Sequence, residues 1–525
     1  MRAPEVLILL LAAVAAFALL ARRLAVPYPI LLVLGGLMIS FIPGLPPVRL
    51  DPDLVLLIFL PPLLFAQAWS TPWREFWSQR RSIFLLAFGL VLFTATAVAA
   101  AANALLGMAW APAFVLGAIV SPPDAVAVGA VAERLGLPRR VVTVLEGESL
   151  VNDATGLVAY KFAVAAVLTG TFSFARASVG FIWVVAAGVA IGWLVAWISA
   201  SLFRRVRDDA VMITLSLLVP NICYLAAERC HASGVLAVVT AGLFLGWRAP
   251  KMLTPSARLQ ASAVWELLVF LLNSIIFLLI GLQLPAVKAS LSNYSLSTLL
   301  LDALAIVFVV ILIRPIWVFP GAYLPYWLSP RIRGREVNPS WRNVTVVAWS
   351  GMRGVVSLAA AMALPVATDA HRGFPHRDLI LFLTFMVILG TLVGQGLTLG
   401  PLIRRLGVSA ERVEEKHEAA IRVTLAEAAQ AQIDRVGGQG GLPETAIVAM
   451  RAEYQNRIRH LSDEQAQALG WSSQLEELVA LRRLRREALK AERSKLIELH
   501  QSGKIPQELR YQIERELDLE EAKLG

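Results

Sequence analysis

The 525-residue chain is 57% apolar and only 16% charged, and its mean hydropathy is +0.65. Soluble domains are roughly 45–50% apolar and about 25% charged, so this composition excludes an ordinary soluble protein. The net charge of +10 does not indicate nucleic-acid binding, because the basic residues are distributed over loops between apolar segments and over a C-terminal tail. The two cysteines, Cys223 and Cys230, provide neither a disulfide framework nor a metal-ligand set.

Most of the chain consists of apolar segments about 20 residues long, the length of a membrane-spanning helix. Charged residues are sparse up to about residue 403 and dense after it. We therefore predict an all-α, polytopic membrane domain over residues 1–408 and a helical, cytoplasmic tail over residues 409–525. About thirteen transmembrane helices are expected, near residues 4–21, 27–46, 53–69, 82–107, 110–132, 142–168, 179–203, 210–228, 232–247, 262–285, 298–328, 343–366 and 378–403.

The loops between the predicted spans alternate in basic charge. Every second loop is basic, starting with the loop that contains Arg22 and Arg23, and this set carries eighteen basic residues against six in the other set. The positive-inside rule places the basic set in the cytoplasm. The N-terminus is then expected outside and the tail inside, because the number of spans is odd.

The fifth predicted span contains the sequence Ser121-Pro-Pro-Asp124. Two prolines in mid-span remove backbone donors and break the helix. A charged residue at the bilayer centre costs on the order of 2.5–3.5 kcal/mol on insertion scales, so Asp124 requires a partner or a function. The Asp124 carboxylate and the backbone carbonyls that lose their hydrogen-bond donors near Pro123 are together suitable ligands for a cation. The alternative is that Asp124 is a structural carboxylate, either paired with a positive charge or neutral.

The sixth predicted span contains a cluster of oxygen-bearing side chains. Ser149 and Asp153 are four residues apart and share a helix face, as do Glu148 and Asn152. Carboxylate, hydroxyl and amide oxygens suit a small hard cation. For Glu148 we favour a structural role beside a buried arginine over a role as ligand.

The eleventh and twelfth predicted spans contain the buried cations Arg314 and Arg353. Glycines flank Arg353 in Trp349-Ser-Gly-Met-Arg353-Gly and predict a second broken helix. Broken helices at corresponding positions of two halves indicate a transport site between inverted repeats. We therefore expect two inverted six-helix repeats, spans 1–6 and 8–13, with broken helices 5 and 12.

Two motifs resemble those of bacterial sodium/proton antiporters in the sodium/proton exchanger branch of the cation/proton antiporter superfamily. Ser121-Pro-Pro-Asp124-Ala-Val-Ala resembles the Thr-Asp-Pro-type motif, and Glu146-Gly-Glu-Ser-Leu-Val-Asn152-Asp153-Ala resembles the Glu-Ser-Leu-Leu-Asn-Asp motif. Segments that begin at His231, Asn273 and Gly351 are similar to further segments of the family. The resemblance covers about residues 5–405.

This resemblance implies that Asp153 binds both the cation and the proton. Ser149, Asp124 and the backbone near Pro123 would be co-ligands of Na⁺. Asn152 would mark the electroneutral branch of the family, since electrogenic relatives have Asp at that position.

The resemblance also implies that Glu148 pairs with Arg314, with Arg353 in a supporting role. It implies a homodimer in a bacterial inner (plasma) membrane, with a scaffold half and a moving, ion-carrying half in each protomer. Ion exchange of this kind involves no enzyme chemistry and no cofactor. The expected partners are an alkali cation, the proton and the lipid bilayer, and no nucleic acid.

The chain departs from the family pattern at two positions. Pro123 stands where Thr is usual, so a side-chain hydroxyl is lost. In the third span, Leu60-Pro-Pro-Leu-Leu-Phe-Ala66 has Ala where many members carry Glu. We therefore predict no carboxylate ligand from the third span.

Three other functions were weighed against sodium/proton exchange. Potassium/proton exchange on the same scaffold stays open, because sodium, lithium and potassium all take oxygen ligands. A cation channel is disfavoured. An intramembrane aspartyl protease built on Asp124 and Asp153 is also disfavoured, because no pair of matching Gly-rich or Tyr-Asp segments surrounds these residues.

Overall fold

The computed structural model describes residues 3–24, 26–42, 55–124, 126, 128–129, 136–170, 174–289, 291, 294–334, 338–366, 373–408, 412–438, 443–468, 488–499, 513 and 517. The chain divides into two compact units, Met1–Ser409 and Ala410–Gly525. The described residues of both units are helical or lie in turns and loops, without a β-strand. The predicted all-α fold is confirmed.

Each predicted span of the first unit contains a helix, numbered here in chain order. The helices are α1 (Ala3–Leu24), α2 (Tyr28–Ile39), α3 (Leu60–Ser70), α4 (Arg80–Leu106), α5 (Trp110–Val120), α6 (Arg139–Thr169), α7 (Phe174–Phe203), α8 (Asp209–Arg229), α9 (Gly234–Met252), α10 (Pro255–Ala289), α11 (Leu296–Leu328), α12a (Trp341–Trp349), α12b (Val355–Met362) and α13 (Arg377–Leu406). π-Helical turns precede α3 and lie inside α4 and α13, at Val55–Phe59, Leu85–Leu90 and Thr391–Gln395.

Among the described residues, eight helices are long and apolar enough to cross a membrane. Large apolar side chains on their outer surfaces, such as Trp183 on α7 and Leu304 on α11, are exposed, which is typical of a surface in contact with lipid. The prediction of a multi-pass membrane protein is confirmed. The number of thirteen crossings, the inverted repeats and the orientation stay predictions; residues 43–46, 53–54, 125, 127 and 130–132 of the predicted spans lie outside the described part.

Both predicted helix breaks are present. α5 ends at Val120, residues 121–124 are not helical, and the described residues of 126–129 are helical again. α12a and α12b are separated by the non-helical residues 350–354. Within a membrane, irregular backbone is tolerated only where it is buried in protein or lines a water-filled cavity, so that its hydrogen-bonding groups find partners. Here the Asp124 N–H donates to the Met352 carbonyl at 2.7 Å, so the two breaks satisfy each other.

α6 passes close to the break in α5. A Cβ on Gly156 would come within 2.9 Å of the Pro122 ring, so glycine at this position allows the approach. The contact lies one turn from Asp153. It therefore brings the polar cluster of α6 to the broken segment.

α2 and α10 cross at two glycines. A Cβ on Gly36 would overlap the Leu278 carbonyl, and a Cβ on Gly281 would overlap the Val33 carbonyl. Such close backbone approach requires glycine. The crossing fixes the relative position of the two helices, which together form one wall of the site described below.

In the second unit, the helices α14 (Arg412–Gly438) and α15 (Glu444–Ala468) pack against each other. An ion pair of 2.6 Å joins Arg451 to Asp434. Residues 488–499 are also helical. Most of the remaining tail, residues 469–487 and 500–525 apart from 513 and 517, lies outside the described part.

Candidate cation-binding site

A cavity of about 790 Å³ lies between the break in α5 and helices α2, α3, α6, α9, α10 and α12b. Three of the predicted ligands, Asp153, Ser149 and Asp124, line it together. Its other polar walls include Tyr28, Gln67, Glu146, Glu266 and Asn273. Asp124 and Asp153, which are 29 positions apart in the sequence, thus border the same cavity.

Asp153 occupies a buried position on α6, where its side chain is 7% exposed. It makes no ion pair or hydrogen bond with the residues that the structure describes. Ser149 lies one turn earlier on the same face and also borders the cavity. A buried carboxylate without a protein partner is costly, so it calls for a proton or a cation from the cavity.

Asp124 is held differently, by backbone donors. The Val126 N–H donates to its Oδ1 at 2.9 Å, and the Val355 N–H also hydrogen-bonds the carboxylate. Val355 is the first residue of α12b, so Asp124 lies at the positive end of that helix. A Cβ on Gly354 would overlap the carboxylate, which shows how closely Asp124 approaches this helix end.

Asn152 and Pro123 contact each other instead of lining the cavity. The Asn152 Nδ2 donates to the Pro123 carbonyl at 2.8 Å, which satisfies an oxygen freed by the helix break. The Asn152 Oδ1 is buried without a partner in the described part of the chain. Asn152 therefore holds the broken segment against α6, a contact that the motif by itself did not indicate.

Glu148 and Arg314 form a bidentate pair, with N–O distances of 2.6 and 2.8 Å. Both side chains are 1% exposed. The Arg314 Nε also donates to the Val347 carbonyl at 3.1 Å. The pair therefore connects α6, α11 and α12a.

Arg353 is 1% exposed and lies in the break of the twelfth helix. Its Nε donates to the Val120 carbonyl at 2.6 Å and its Nη1 to the Gly351 carbonyl at 2.5 Å. Val120 is the last residue of α5, and Gly351 follows α12a, so the Arg353 guanidinium faces the negative ends of two helices. Asp124 and Arg353 thus compensate helix ends of opposite polarity.

The cavity also contains residues to which the sequence assigned no role. Tyr28 and Asn273 form a neutral polar wall contributed by α2 and α10. A polar Asn in the middle of an apolar span is a signal that could have identified Asn273, whereas Tyr28 at the start of a span is unremarkable. Ala66 lines the cavity without a carboxylate, beside Gln67.

The described residues contain no group of three or more His, Cys, Asp or Glu side chains that could hold a metal ion. A cation in the cavity would thus take ligands from one or two carboxylates and from neutral oxygens.

Comparisons with known proteins agree with this architecture. The chain has a likeness to the sodium proton antiporter MjNhaP1 of Methanocaldococcus jannaschii, with a TM-score of 0.61 and 22% identity over 77% of this chain and 99% of that one. At this identity the likeness shows the fold.

Two curated relatives are more similar in sequence. A protein of Mycobacterium tuberculosis that is named an uncharacterized Na⁺/H⁺ exchanger is 34% identical over 99% of this chain and 96% of its own length. A sodium, potassium, lithium and rubidium/H⁺ antiporter of Bacillus subtilis is 33% identical over 92% of this chain and 72% of its own length. The family model described as sodium/hydrogen exchanger, transmembrane, matches residues 7–405. The chain therefore belongs to the sodium/hydrogen exchanger family.

Proposed function

We propose that this protein is a secondary active transporter that exchanges one Na⁺, or Li⁺, for one H⁺ across a bacterial plasma membrane. Sodium and proton compete for Asp153, with Ser149 and Asp124 as co-ligands. Either ion neutralises the site, and only a neutral site crosses the low-dielectric barrier during alternating access. The exchange is then electroneutral.

The observation that carries this proposal is the difference between Asp153 and the other buried charges. Glu148 is paired with Arg314, Asp124 is held by backbone donors, and Arg353 faces helix C-termini. Asp153 alone among these has no hydrogen-bonding or ionic partner in the described part of the chain. One carboxylate is therefore left to be neutralised by a transported ion.

The shape of the cavity supports access from one side. The α6 residues that line it, Val142, Leu145, Glu146, Ser149 and Asp153, all lie on the N-terminal side of Asp153 or at Asp153 itself. Beyond Asp153, α6 packs into a cluster of buried apolar residues that includes Val164. The cavity therefore ends at Asp153.

The open side is the one that loop charges assign to the cytoplasm. Leu253, which directly follows α9, and Arg258, in the first turn of α10, line the same cavity and belong to the basic connection between these helices. On the other side of Asp153, Lys161 is eight residues further along α6, about 12 Å away, and pairs with Glu228 at 3.1 Å. We assign this conformation to the inward-open state.

We further propose a homodimer, with the N-terminus outside and residues 409–525 in the cytoplasm, acting as a transporter and not as an enzyme. These assignments rest on the family and on the loop charges. Potassium/proton exchange is the second candidate, because the name of the Bacillus subtilis relative includes potassium and rubidium. Carboxylate and neutral oxygens accept all of these alkali ions.

Proton flux in reconstituted liposomes tests the proposal. The purified protein is reconstituted with a pH-sensitive dye inside, and Na⁺, Li⁺, K⁺ or choline is added outside in turn. We expect Na⁺ and Li⁺ to drive proton movement in the wild type and no response in Asp153→Asn. Proton movement with K⁺ alone would establish the second candidate, and single-channel currents would contradict exchange.

A further inference from the structure

Asn273 on α10 has an unexplained oxygen at the proposed site. Its side chain is 2% exposed and lines the same cavity as Asp153 and Asp124. Its Oδ1 is buried and has no hydrogen-bond partner among the residues that the structure describes. A buried carbonyl without a partner destabilises the fold, so its retention requires an explanation.

The orientation of the Asn273 amide follows from its neighbour. The Asn273 side chain hydrogen-bonds the Tyr28 side chain, and the Tyr28 ring packs on Phe270 at a centroid distance of 5.6 Å. Because Oδ1 has no partner, the amide nitrogen makes the bond to Tyr28. The oxygen is then the atom left for a ligand in the cavity.

The backbone behind Asn273 is held in place. Tyr28 and Asn273 each precede a glycine of the α2–α10 crossing by eight residues (36 − 28 and 281 − 273). Both glycines are in contact with the backbone of the opposite helix. The neutral wall is therefore a preorganised surface, as an ion ligand requires.

The third helix does not supply an acidic ligand beside this wall. It presents Ala66 and Gln67 to the cavity. Glu266, the cavity carboxylate that α10 does contribute, is on an exposed stretch seven residues before Asn273. The cavity is thus bordered by Asp153 of α6 and by the neutral Asn273 side chain of α10.

We propose that Asn273 Oδ1 is a neutral ligand of the transported alkali cation, in place of the carboxylate that Ala66 cannot provide. This inference rests on the proposed function, in which the cation binds at Asp153. An amide oxygen attracts the cation but carries no titrating proton. It therefore raises sodium affinity without changing the number of protons exchanged.

Kinetics of sodium-driven proton flux at several pH values test this role. Asn273→Ala is expected to raise the Na⁺ concentration for half-maximal rate about tenfold, with the maximal rate and its pH slope preserved. Ser274→Ala is the matched control. The Ser274 Oγ is also buried and has no hydrogen-bond partner among the residues that the structure describes, but Ser274 does not line the cavity. We expect no change in half-maximal Na⁺ for that control.

Two more variants separate binding from packing. Tyr28→Phe removes the bond to the amide nitrogen and keeps Oδ1, so its effect on half-maximal Na⁺ should be smaller than that of Asn273→Ala. Asn273→Asp preserves volume and adds a charge, so half-maximal Na⁺ should fall and the pH slope should steepen towards about a hundredfold per unit. This variant keeps the test informative if Asn273→Ala does not fold.

The inference is overturned if Asn273→Ala and Asn273→Asp exchange ions with wild-type half-maximal Na⁺ and wild-type pH slope. Equal changes of half-maximal Na⁺ in Asn273→Ala and Ser274→Ala would likewise show that Asn273 contributes to packing and not to ion binding. In either result the proposed function stands, provided that Asp153→Asn is inactive. Normal exchange in Asp153→Asn would instead remove the proposed function, and the role of Asn273 with it.

Discussion

Glu148 and Asp153 are both buried carboxylates on α6, but one has a charged partner and the other has none among the described residues. They are five positions apart in the sequence, which places them about 140° apart around the helix. Glu148 faces Arg314 and is bonded at both oxygens, with 1% exposure. Asp153 faces the 790 Å³ cavity and has no partner in the described part of the protein.

The comparison shows that burial of a carboxylate does not identify its function. A buried charge with a matched partner connects helices, and removing the partner strands the other charge. A buried carboxylate that faces water but has no partner is available to exchangeable ions. Asp124 is an intermediate case, since it borders the cavity but is held by two backbone donors.

Asp153→Asn should produce the largest functional loss. The substitution preserves volume and removes the only carboxylate of α6 that faces the closed end of the cavity without a partner. We expect sodium-driven proton flux to fall to that of protein-free liposomes, while membrane insertion and the oligomeric state in detergent are retained. Proton release of wild-type size on sodium addition would contradict the distinction drawn between Asp153 and Glu148.

Glu148→Gln should instead reduce stability. Breaking a buried ion pair from one side costs about 3–5 kcal/mol, and removing both partners costs less. Thermal unfolding in detergent of Glu148→Gln, Arg314→Met and the double variant measures this. Strictly additive losses would mean that the two residues are not coupled.

The pH dependence of exchange tests whether a single carboxylate carries the exchanged proton. In the proposed mechanism protonation of Asp153 excludes sodium, so lowering the pH should raise the sodium requirement. Below the pKa of the site, half-maximal Na⁺ should rise about tenfold per pH unit. A slope near a hundredfold, or a rate that follows an imposed membrane potential at fixed gradients, would indicate that Asp124 also carries a proton.

Lys161→Gln should have the smallest effect and serves as the control for Glu148→Gln. Lys161, which is on the same helix as Glu148, forms an ion pair with Glu228 of α8, but the two side chains are 56% and 36% exposed. Exposed pairs contribute at most about 1 kcal/mol. The same thermal measurement should therefore give a loss well below that of Glu148→Gln; a comparable loss would show that the exposed pair is also structural.

The all-α, multi-pass fold and the positions of the two helix breaks could be predicted from residue type and spacing alone. Hydropathy marks the helices because each must bury its backbone polar groups internally in lipid. Prolines at 122 and 123 and glycines at 351 and 354 interrupt two of them for local steric reasons. The polar cluster of α6, including Asp153, could likewise be recognised from residue type and spacing.

The pairing of the polar groups, in contrast, depends on how the helices pack in three dimensions. Asn152 bonds the Pro123 carbonyl across 29 residues, Glu148 meets Arg314 across 166, and Arg353 reaches Val120 across 233. Family resemblance suggested the second contact, but local periodicity carries no information about the others, because side-chain repeats specify a face and not its neighbour. The neutral wall of Tyr28 and Asn273 likewise follows from the glycine crossing of α2 and α10, which exists only when the two helices pack together.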